Sequence, residues 1–447
     1  MRNRPVVSMR AVTFAAFSLM CASTADAQLP SSSPAAFALG GNFTAMARGY
    51  EAVSWNAANL AMPGRPLMSF GMIALGGNAG LAPVDLTALH RFSGQVVDSA
   101  TKASWVDLAR QEGGQRGEIE GAITPLALSI GPIGLQVGTT FYTHMNFSPD
   151  ALEAWLFGNA GASGGQPKTV DLTGSRVRAA AFSTGALSFA LPLPITLTGN
   201  MLKNEQLAVG ITGKYIVGHG LIVAEDLGSS VGAGNIDFNL PVITVWSDTL
   251  VDIPTEYRDY DGKAGMGIGA DLAVAWRGGP WKLGFVAENI VNTFKWDTTK
   301  LAYLPGTASY NQSASTQMDF DQHSYVQAPQ LLRDIVAAQA FRPAFRLGAA
   351  LQVTHSLTLT GDVKQSVGDD NAIVIGPKSL VGVGAEWRLL PFLPIRGGVA
   401  SITDGWQAGA GLGVRLLGYE LGVATSIRKR GVATESGLMV GVLGIGH

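Results

Sequence analysis

The chain has 447 residues, of which 47% are hydrophobic and only 14% are charged, and its formal net charge is −2. Soluble domains carry about 25% charged residues, so the composition is atypical of a soluble domain. We expect no nucleic-acid partner. The only cysteine lies at position 21, inside the leader described next.

Residues 1–27 are predicted to be a secretory signal peptide. Arginines precede the apolar run AVTFAAFSLM, and the tripeptide ADA, ending at residue 27, has the small-x-small form of a cleavage site. The run is too short to span a bilayer. Lipidation at Cys21 is the alternative, but the preceding Met20 is not the small residue such processing requires. The mature chain is therefore expected to be exported and to contain no disulfide.

Residues 28–64 form a distinct N-terminal segment. Its last part, MARGYEAVSWNAANLAMPG, reads neither as a strand nor as a long helix. We expect NAANLA to form about one helical turn, capped by Asn56 and ended by the Pro-Gly pair. The residues predicted to fix this segment are Arg48, Trp55, Asn56 and Asn59. We expect Arg48 to meet an inward glutamate, the ring nitrogen of Trp55 to find a hydrogen-bond partner, and the two asparagines to bind backbone groups of the lumen wall.

From residue 65 to 447, apolar residues alternate with Gly, Ala, Thr and occasional charges. In MGIGADLAVAWR, Met266, Ile268 and Leu272 share one face, while Gly267 and Asp271 lie on the other. No uncharged apolar run of 18 residues follows the signal peptide. An apolar exported chain without transmembrane helices crosses a membrane as a closed β-barrel. The predicted fold is therefore all-β, a single antiparallel transmembrane barrel of about fourteen strands (twelve to sixteen).

The predicted strands are separated by alternating short and long connections, as in outer-membrane barrels with periplasmic turns and external loops. They are 66–79, 117–130, 133–143, 174–190, 205–217, 264–277, 281–291, 343–354, 356–367, 378–390, 394–402, 405–415, 416–427 and 437–446. Residues 236–246 are a candidate for further strands, which would give sixteen. Both chain ends then lie in the periplasm, and the N-terminal segment is predicted either to plug the lumen or to brace its rim.

A soluble β-sandwich also alternates, but its solvent face would be richly charged. Here aromatic residues stand near strand ends, as in the girdles of membrane barrels. They are Trp276, Trp281, Trp387, Trp406 and Tyr419.

The polar face carries charges of both signs, which we expect to point into the lumen. Pairing between them would close the lumen, so an open porin fits poorly. They include Asp271, Arg277, Arg346, Asp362, Lys364, Glu386, Arg388, Glu420 and Arg428. Asp362, Glu386 and Glu420 are expected to pair with inward arginines.

Three short amphipathic helices are predicted in external loops, within 101–111, 149–158 and 328–341. Their apolar faces either pack together as a lid or contact an apolar ligand. The candidate ligand contacts are Leu152, Trp155, Leu156, Leu331, Leu332 and Ile335.

The remaining motifs point to no chemistry. GSSVG (228–232) matches G-x-S-x-G but lacks the strand-turn-helix context of a nucleophile. The histidines do not occur at metal-ligand spacing, and DYDG and MDFDQ lack the pattern of a calcium loop. We predict no catalytic site, cofactor or metal.

The stretch ARGYEAVSWNAANLA resembles the N-terminal A-x-G-x-x-A-x-x-x-N-P-A-x-L motif of the FadL-like outer-membrane superfamily. ALEAWLFGN, LAVGITGKYIVGHG and GMGIGADLAVAW are similar to its conserved members of unknown function. The resemblance implies fourteen strands, an N-terminal plug and, in the transporter branch, passage of apolar molecules. Ala57 replaces the motif's proline, and His447 stands where an aromatic residue commonly ends the chain.

Two functions are therefore expected for a barrel in the outer membrane of a Gram-negative-type bacterium, surrounded by outer-membrane lipid. The first is passive uptake of hydrophobic small molecules. The alternative is a binding, assembly or structural barrel that carries or displays exported proteins without transport. The sequence leaves the oligomeric state open.

Overall fold

The computed structural model describes most of the chain beyond the predicted signal peptide. The described residues are 33–158, 161, 169–199, 201–232, 234–245, 262–311, 316–367, 373, 376–416, 419–431 and 433–445. The predicted signal peptide, residues 28–32 of the N-terminal segment and the terminal His447 lie outside them.

The N-terminal segment consists of short helical turns. Helix α1 spans Pro34–Ala38 and begins where the Ser33 hydroxyl accepts a bond from the Ala36 amide. Helix α2 spans Ala52–Trp55. The predicted turn is a 3-10 helix, Ala57–Ala61, and Asn56 caps it as expected.

Fourteen antiparallel strands follow. They are β1 (Met68–Ala82), β2 (Gln115–Ile130), β3 (Ile133–Phe147), β4 (Arg176–Leu193), β5 (Gln206–Glu225), β6 (Gly265–Gly278), β7 (Trp281–Asn292), β8 (Ala344–Gln352), β9 (Leu357–Ser366), β10 (Ser379–Leu390), β11 (Leu393–Ile402), β12 (Gly405–Leu416), β13 (Tyr419–Arg430) and β14 (Ala433–Ile445). Each strand pairs with its neighbours in sequence, and β1 also pairs with β14. The sheet therefore closes on itself, which confirms the predicted barrel.

The two faces of the strands differ as the alternation predicts. On β6, Met266, Ile268 and Leu272 are exposed, whereas Asp271 and Ala273 are buried. An exposed apolar band around a closed barrel is the surface that contacts lipid in outer-membrane proteins. The chain is thus an outer-membrane β-barrel.

Of the predicted girdle residues, four are exposed on the outer surface: Trp281, Trp387, Trp406 and Tyr419. Trp276 is half-buried, and its indole nitrogen donates to Glu205 Oε1 at 2.8 Å. Among the described helices, none is both long and apolar enough to cross a membrane.

Helices in the long connections match the prediction in three cases. They are α4 (Ser99–Glu112), α5 (Pro149–Phe157) and α6 (Gln330–Ala338), and an unpredicted α3 (Leu86–Arg91) precedes them. Short 3-10 helices span Gly49–Glu51 in the N-terminal segment, and Thr298–Lys300 and Tyr325–Gln327 in the connection between β7 and β8.

The sixteen-strand alternative is wrong, because the additional strands do not enter the barrel wall. Asn235–Asn239 belongs to a separate five-stranded sheet, whose other strands are Val170–Asp171, Ser230–Val231, Thr307–Asn311 and Gln317–Asp319. Val242–Val245 pairs with the outer end of β5 and with Leu301–Leu304, which in turn pairs with His323–Ser324. Lys295–Trp296 pairs with the start of β6.

The arrangement gives a testable topology, because all helices of the long connections lie on one side of the barrel. A protease site inserted after Asp321, in the connection between β7 and β8, should be cut on intact cells. The same site between Gly279 and Pro280, in the tight turn between β6 and β7, should be protected until the cells are lysed. Cleavage of intact cells at the tight turn alone would reverse the orientation.

Candidate functional site

The N-terminal segment lies inside the barrel, against inward-facing glycines of the wall. A Cβ atom added to Gly398 on β11 would lie 2.0 Å from the Leu39 carbonyl oxygen, and one on Gly210 of β5 would lie 2.5 Å from the Ala58 amide nitrogen. These distances are too short for any side chain. Glycine at these positions therefore allows the backbone of the wall to contact the backbone of the segment. This contact explains some of the glycines on the inward face of the strands.

Asp362 on β9 holds the middle of the segment. Its Oδ2 accepts from the Phe43 amide at 3.1 Å, from the Thr44 amide at 3.0 Å and from the Thr44 hydroxyl at 2.5 Å. In return, Asn42 Oδ1 accepts from the Asp362 amide at 3.1 Å. The carboxylate is buried, and such charge-assisted bonds are stronger than neutral ones. The predicted pairing of Asp362 with an arginine is wrong, since the segment itself supplies the donors.

The Trp55 ring makes one aromatic contact and one cation–π contact. Its ring meets that of Phe43 edge-on, with centroids 5.6 Å apart, and the Arg346 guanidinium lies 4.7 Å from its centroid. Arg346 Nε also donates to Glu288 Oε1 at 2.6 Å. The expected hydrogen bond of the Trp55 ring nitrogen is not formed with any described residue.

The other predicted segment residues differ in their partners. Asn56 Nδ2 donates to the Val274 carbonyl of the wall at 3.1 Å, but Asn59 Nδ2 donates to the Thr44 carbonyl within the segment, also at 3.1 Å. Water reaches the Arg48 side chain although protein atoms surround it, and no carboxylate of the described residues lies within ion-pairing distance of it. Its expected pairing with an inward glutamate is therefore wrong.

The nine predicted lumen charges lie on the inward faces of their strands, and most are paired. Near the middle of the barrel, Lys214 Nζ lies 2.6 Å from Asp271 Oδ1, which also accepts from the Asn289 amide at 2.6 Å. Lys364 is buried on the same face of β9 as Asp362. Arg277 donates to the Pro63 carbonyl at 3.4 Å.

A chain of alternating charges crosses β10 to β13 near the periplasmic end. Glu386 Oε1 lies 2.6 Å from Arg388 Nη2, and Glu386 Oε2 lies 2.7 Å from Arg396 Nε. Glu420 Oε1 lies 2.9 Å from Arg396 Nη2, and Glu420 Oε2 lies 2.6 Å from Arg415 Nε. Both glutamates thus pair with inward arginines as expected. Removal of one partner from such a network leaves an uncompensated charge.

A second charged cluster lies at the external end. Arg428 Nη1 is 2.9 Å from Glu120 Oε2, and Arg430 Nη1 is 2.8 Å from Glu118 Oε2. His144 stands beside them, with Nε2 3.8 Å from Glu120 Oε1. The two carboxylates and this histidine are close enough to hold a metal ion, but the arginines already neutralise the carboxylates.

Two adjoining cavities connect the external cluster to the N-terminal segment. The outer cavity, of about 480 Å³, is lined by charged residues and by Tyr142. The inner cavity, of about 170 Å³, shares Glu120 with the outer one and ends on Phe37 and Trp55 of the segment. A third, of about 40 Å³, lies between the segment and the wall beside Glu51.

No protein-family model and no curated protein matches the chain. Among solved structures, it is similar to the TodX deltaS2S3 mutant monoaromatic hydrocarbon channel, with 9% identity and a TM-score of 0.51, over 92% of this chain and 98% of that one. The chain has a FadL-like barrel fold. Two further similar structures are the toluene transporter TbuX of Ralstonia pickettii (11% identity, TM-score 0.48, 92% and 97% coverage) and a FadL homologue of Pseudomonas aeruginosa (12%, 0.45, 95% and 99%).

An apolar cluster occupies part of the external mouth of this FadL-like barrel, beside the outer cavity. Leu332 and Ile335 of α6 are buried in it, together with the rings of Phe182, Phe294 and Phe341. The Phe182 and Phe341 centroids are 4.9 Å apart. The apolar stripe of α6 therefore packs as a lid.

The six candidate ligand contacts differ in how far the surrounding protein buries them. Leu152, Leu332 and Ile335 are buried by protein, and Leu156 is half-buried. Trp155 and Leu331 are exposed, by 80% and 52%. Only these last two side chains offer a free apolar surface, and their contact with a ligand stays a prediction.

Several residues of the FadL-like lumen were not identified from the sequence. Asn42 and Thr44 bind the wall, and Glu120 and Tyr142 line the outer cavity. Alternation can indicate which face of a strand a residue occupies, but nothing in the sequence pairs positions so distant along the chain.

Proposed function

We propose that the chain is a passive channel of the outer membrane of a Gram-negative-type bacterium, used for the uptake of hydrophobic small molecules. One observation carries the proposal: the two adjoining cavities lead from the external end to the N-terminal segment. The fold of monoaromatic hydrocarbon channels is consistent with this use.

The linings of the cavities fit a small molecule with an apolar body. The outer cavity is within the volume range of ordinary ligand sites. The inner cavity is lined largely by carbon atoms, among them those of Phe37, Trp55, Leu380 and Met439. An apolar molecule therefore gains contact with protein as it moves inward, while the charges near the entrance remain paired with one another.

The N-terminal segment is the proposed plug of this channel. It closes the inner end of the path, because Phe37 and Trp55 form part of the inner cavity's boundary. Passage to the periplasm then requires displacement of the segment. A channel of this kind needs no energy source, since the molecule moves down its own gradient.

The proposal is tested by uptake of the hydrophobic dye N-phenyl-1-naphthylamine into cells with intact lipopolysaccharide, which restricts the dye. Expression of the wild-type chain should speed uptake. Ala122→Trp should abolish the gain, since Ala122 lines the inner cavity and the indole would fill it. Ile123→Trp is the matched control, because Ile123 is exposed on the outer face of the same strand.

Uptake of a hydrophilic β-lactam should stay unchanged in all strains, which distinguishes the channel from a general leak. If the wild-type chain does not speed dye uptake, the transport proposal fails and a structural or display barrel is the better account. Equal dye uptake with Ala122→Trp and wild type would exclude the inner cavity as the path.

A further inference from the structure

Four cationic side chains gather at the periplasmic end of the lumen. Arg48 comes from the N-terminal segment, Arg277 ends β6, Lys282 begins β7, and Arg388 ends β10. Arg277 and Lys282 are direct cross-strand partners. Like charges placed directly opposite on neighbouring strands are destabilising, so a nearby anion would stabilise this arrangement.

The neighbouring carboxylates Glu386 and Glu420 do not supply this negative charge, because arginines already bind them. Glu386 is engaged by Arg388 and Arg396, and Glu420 by Arg396 and Arg415. None of the three remaining cations, Arg48, Arg277 and Lys282, forms an ion pair with a carboxylate of the described residues. In the part of the chain that the structure describes, the one hydrogen bond from these three side chains is that of Arg277 to the Pro63 carbonyl, at 3.4 Å.

The cations are near enough to act on one another. The pKa of Arg48 is lowered from its ordinary value, first by burial and then by repulsion from Arg388; Arg277 and Arg415 add to this repulsion, and Glu386 opposes it. Arg48, Arg277 and Arg388 likewise repel Lys282. This mutual repulsion favours an anion placed among the cations.

We infer that Arg48, Arg277 and Lys282 form a binding site for an oxyanion, the carboxylate or phosphate group of a small molecule in the lumen. Guanidinium and ammonium groups are the donors that proteins use for these anions. Arg48 lies on the segment, whereas Arg277 and Lys282 lie on the wall. A bound oxyanion therefore links the segment to the wall and offsets the repulsion between them.

The site goes beyond the proposed uptake of hydrophobic molecules, which requires no charge, and it can be measured without transport. Thermal unfolding of the purified mature protein in detergent is followed with increasing sodium phosphate or sodium benzoate, with sodium chloride adjusting all samples to one ionic strength. A ligand that binds the folded state alone raises the Tm, so each effective anion should give a concentration-dependent rise.

Lys282→Gln and Arg277→Gln should each abolish the rise. Both remove a charge from a repelling pair, so both are expected to fold, which heat-modifiable mobility in electrophoresis verifies. Arg65→Gln is the matched control. Arg65 lies at the same end but donates to the Leu60 carbonyl at 2.7 Å, and it should keep the full rise.

A rise with both anions supports a general oxyanion site. A rise with benzoate alone identifies a carboxylate-bearing molecule, and a rise with phosphate alone identifies a phosphate group. No rise beyond that of the chloride-matched sample overturns the inference, as does an equal rise in Lys282→Gln. Neither of these results affects the dye-uptake test, which reports on the inner cavity.

Discussion

Deleting residues 28–64 while keeping the signal peptide should leave a folded barrel that conducts ions. The wall closes through its own strand pairs and retains its own charge pairs, such as Lys214 with Asp271 and Glu386 with Arg396. What the deletion removes is the chain inside the lumen. Single-channel recordings in planar bilayers should show large, lasting conductance for the truncated protein and little for the full-length protein.

Cells that produce the truncated protein should also become sensitive to bulky antibiotics. Replacing both Arg48 and Trp55 by alanine should give a milder effect, because the segment stays tethered to β1 and is still held by Asp362. Equal conductance of the full-length and truncated proteins, both verified as folded, would reject the plug and favour a segment that only braces the rim.

The strand number could be predicted from the sequence because a membrane barrel repeats one local rule. Side chains alternate between lipid and lumen with a period of two, and the connections alternate in length. Even the cap of the 3-10 helix by Asn56 is a local feature that the sequence shows. The inward direction of Glu386 and Glu420 follows from the same alternation.

Partners across the lumen could not be predicted, since they depend on the stagger of the strands and on the path of the segment. Asp362 was expected to pair with an arginine but binds backbone amides more than 300 positions earlier in the chain. Arg48 was expected to meet a glutamate but faces cations instead. The strands around 235–245 alternate like wall strands, yet one joins a separate sheet and the other pairs with the outer end of β5 and with Leu301–Leu304, because alternation does not specify which edge a strand joins.

Alanine variants of two buried carboxylates should distinguish residues that keep the lumen closed from residues that stabilise the barrel wall. Asp362 and Asp271 both point inward, but Asp362 binds the segment, while Asp271 binds Lys214 and the Asn289 amide of the wall. Asp362→Ala removes three hydrogen bonds to a charged acceptor, each worth about 1.5–3 kcal/mol when measured alone. Water in the lumen reduces that loss, and the bonds are not additive.

Asp362→Ala should therefore open frequently in planar bilayers, with a conductance approaching that of the truncated protein, while its barrel keeps most of its heat stability. Asp271→Ala should behave in the opposite way. Losing one partner of a buried ion pair costs about 3–5 kcal/mol, so this variant should unfold at a lower temperature in detergent but remain closed below that temperature. Asp362→Asn should fall between Asp362→Ala and wild type, because an amide oxygen still accepts from Thr44 without the charge. A closed Asp362→Ala together with a leaking Asp271→Ala would show that the wall, not the bond between Asp362 and the segment, controls closure.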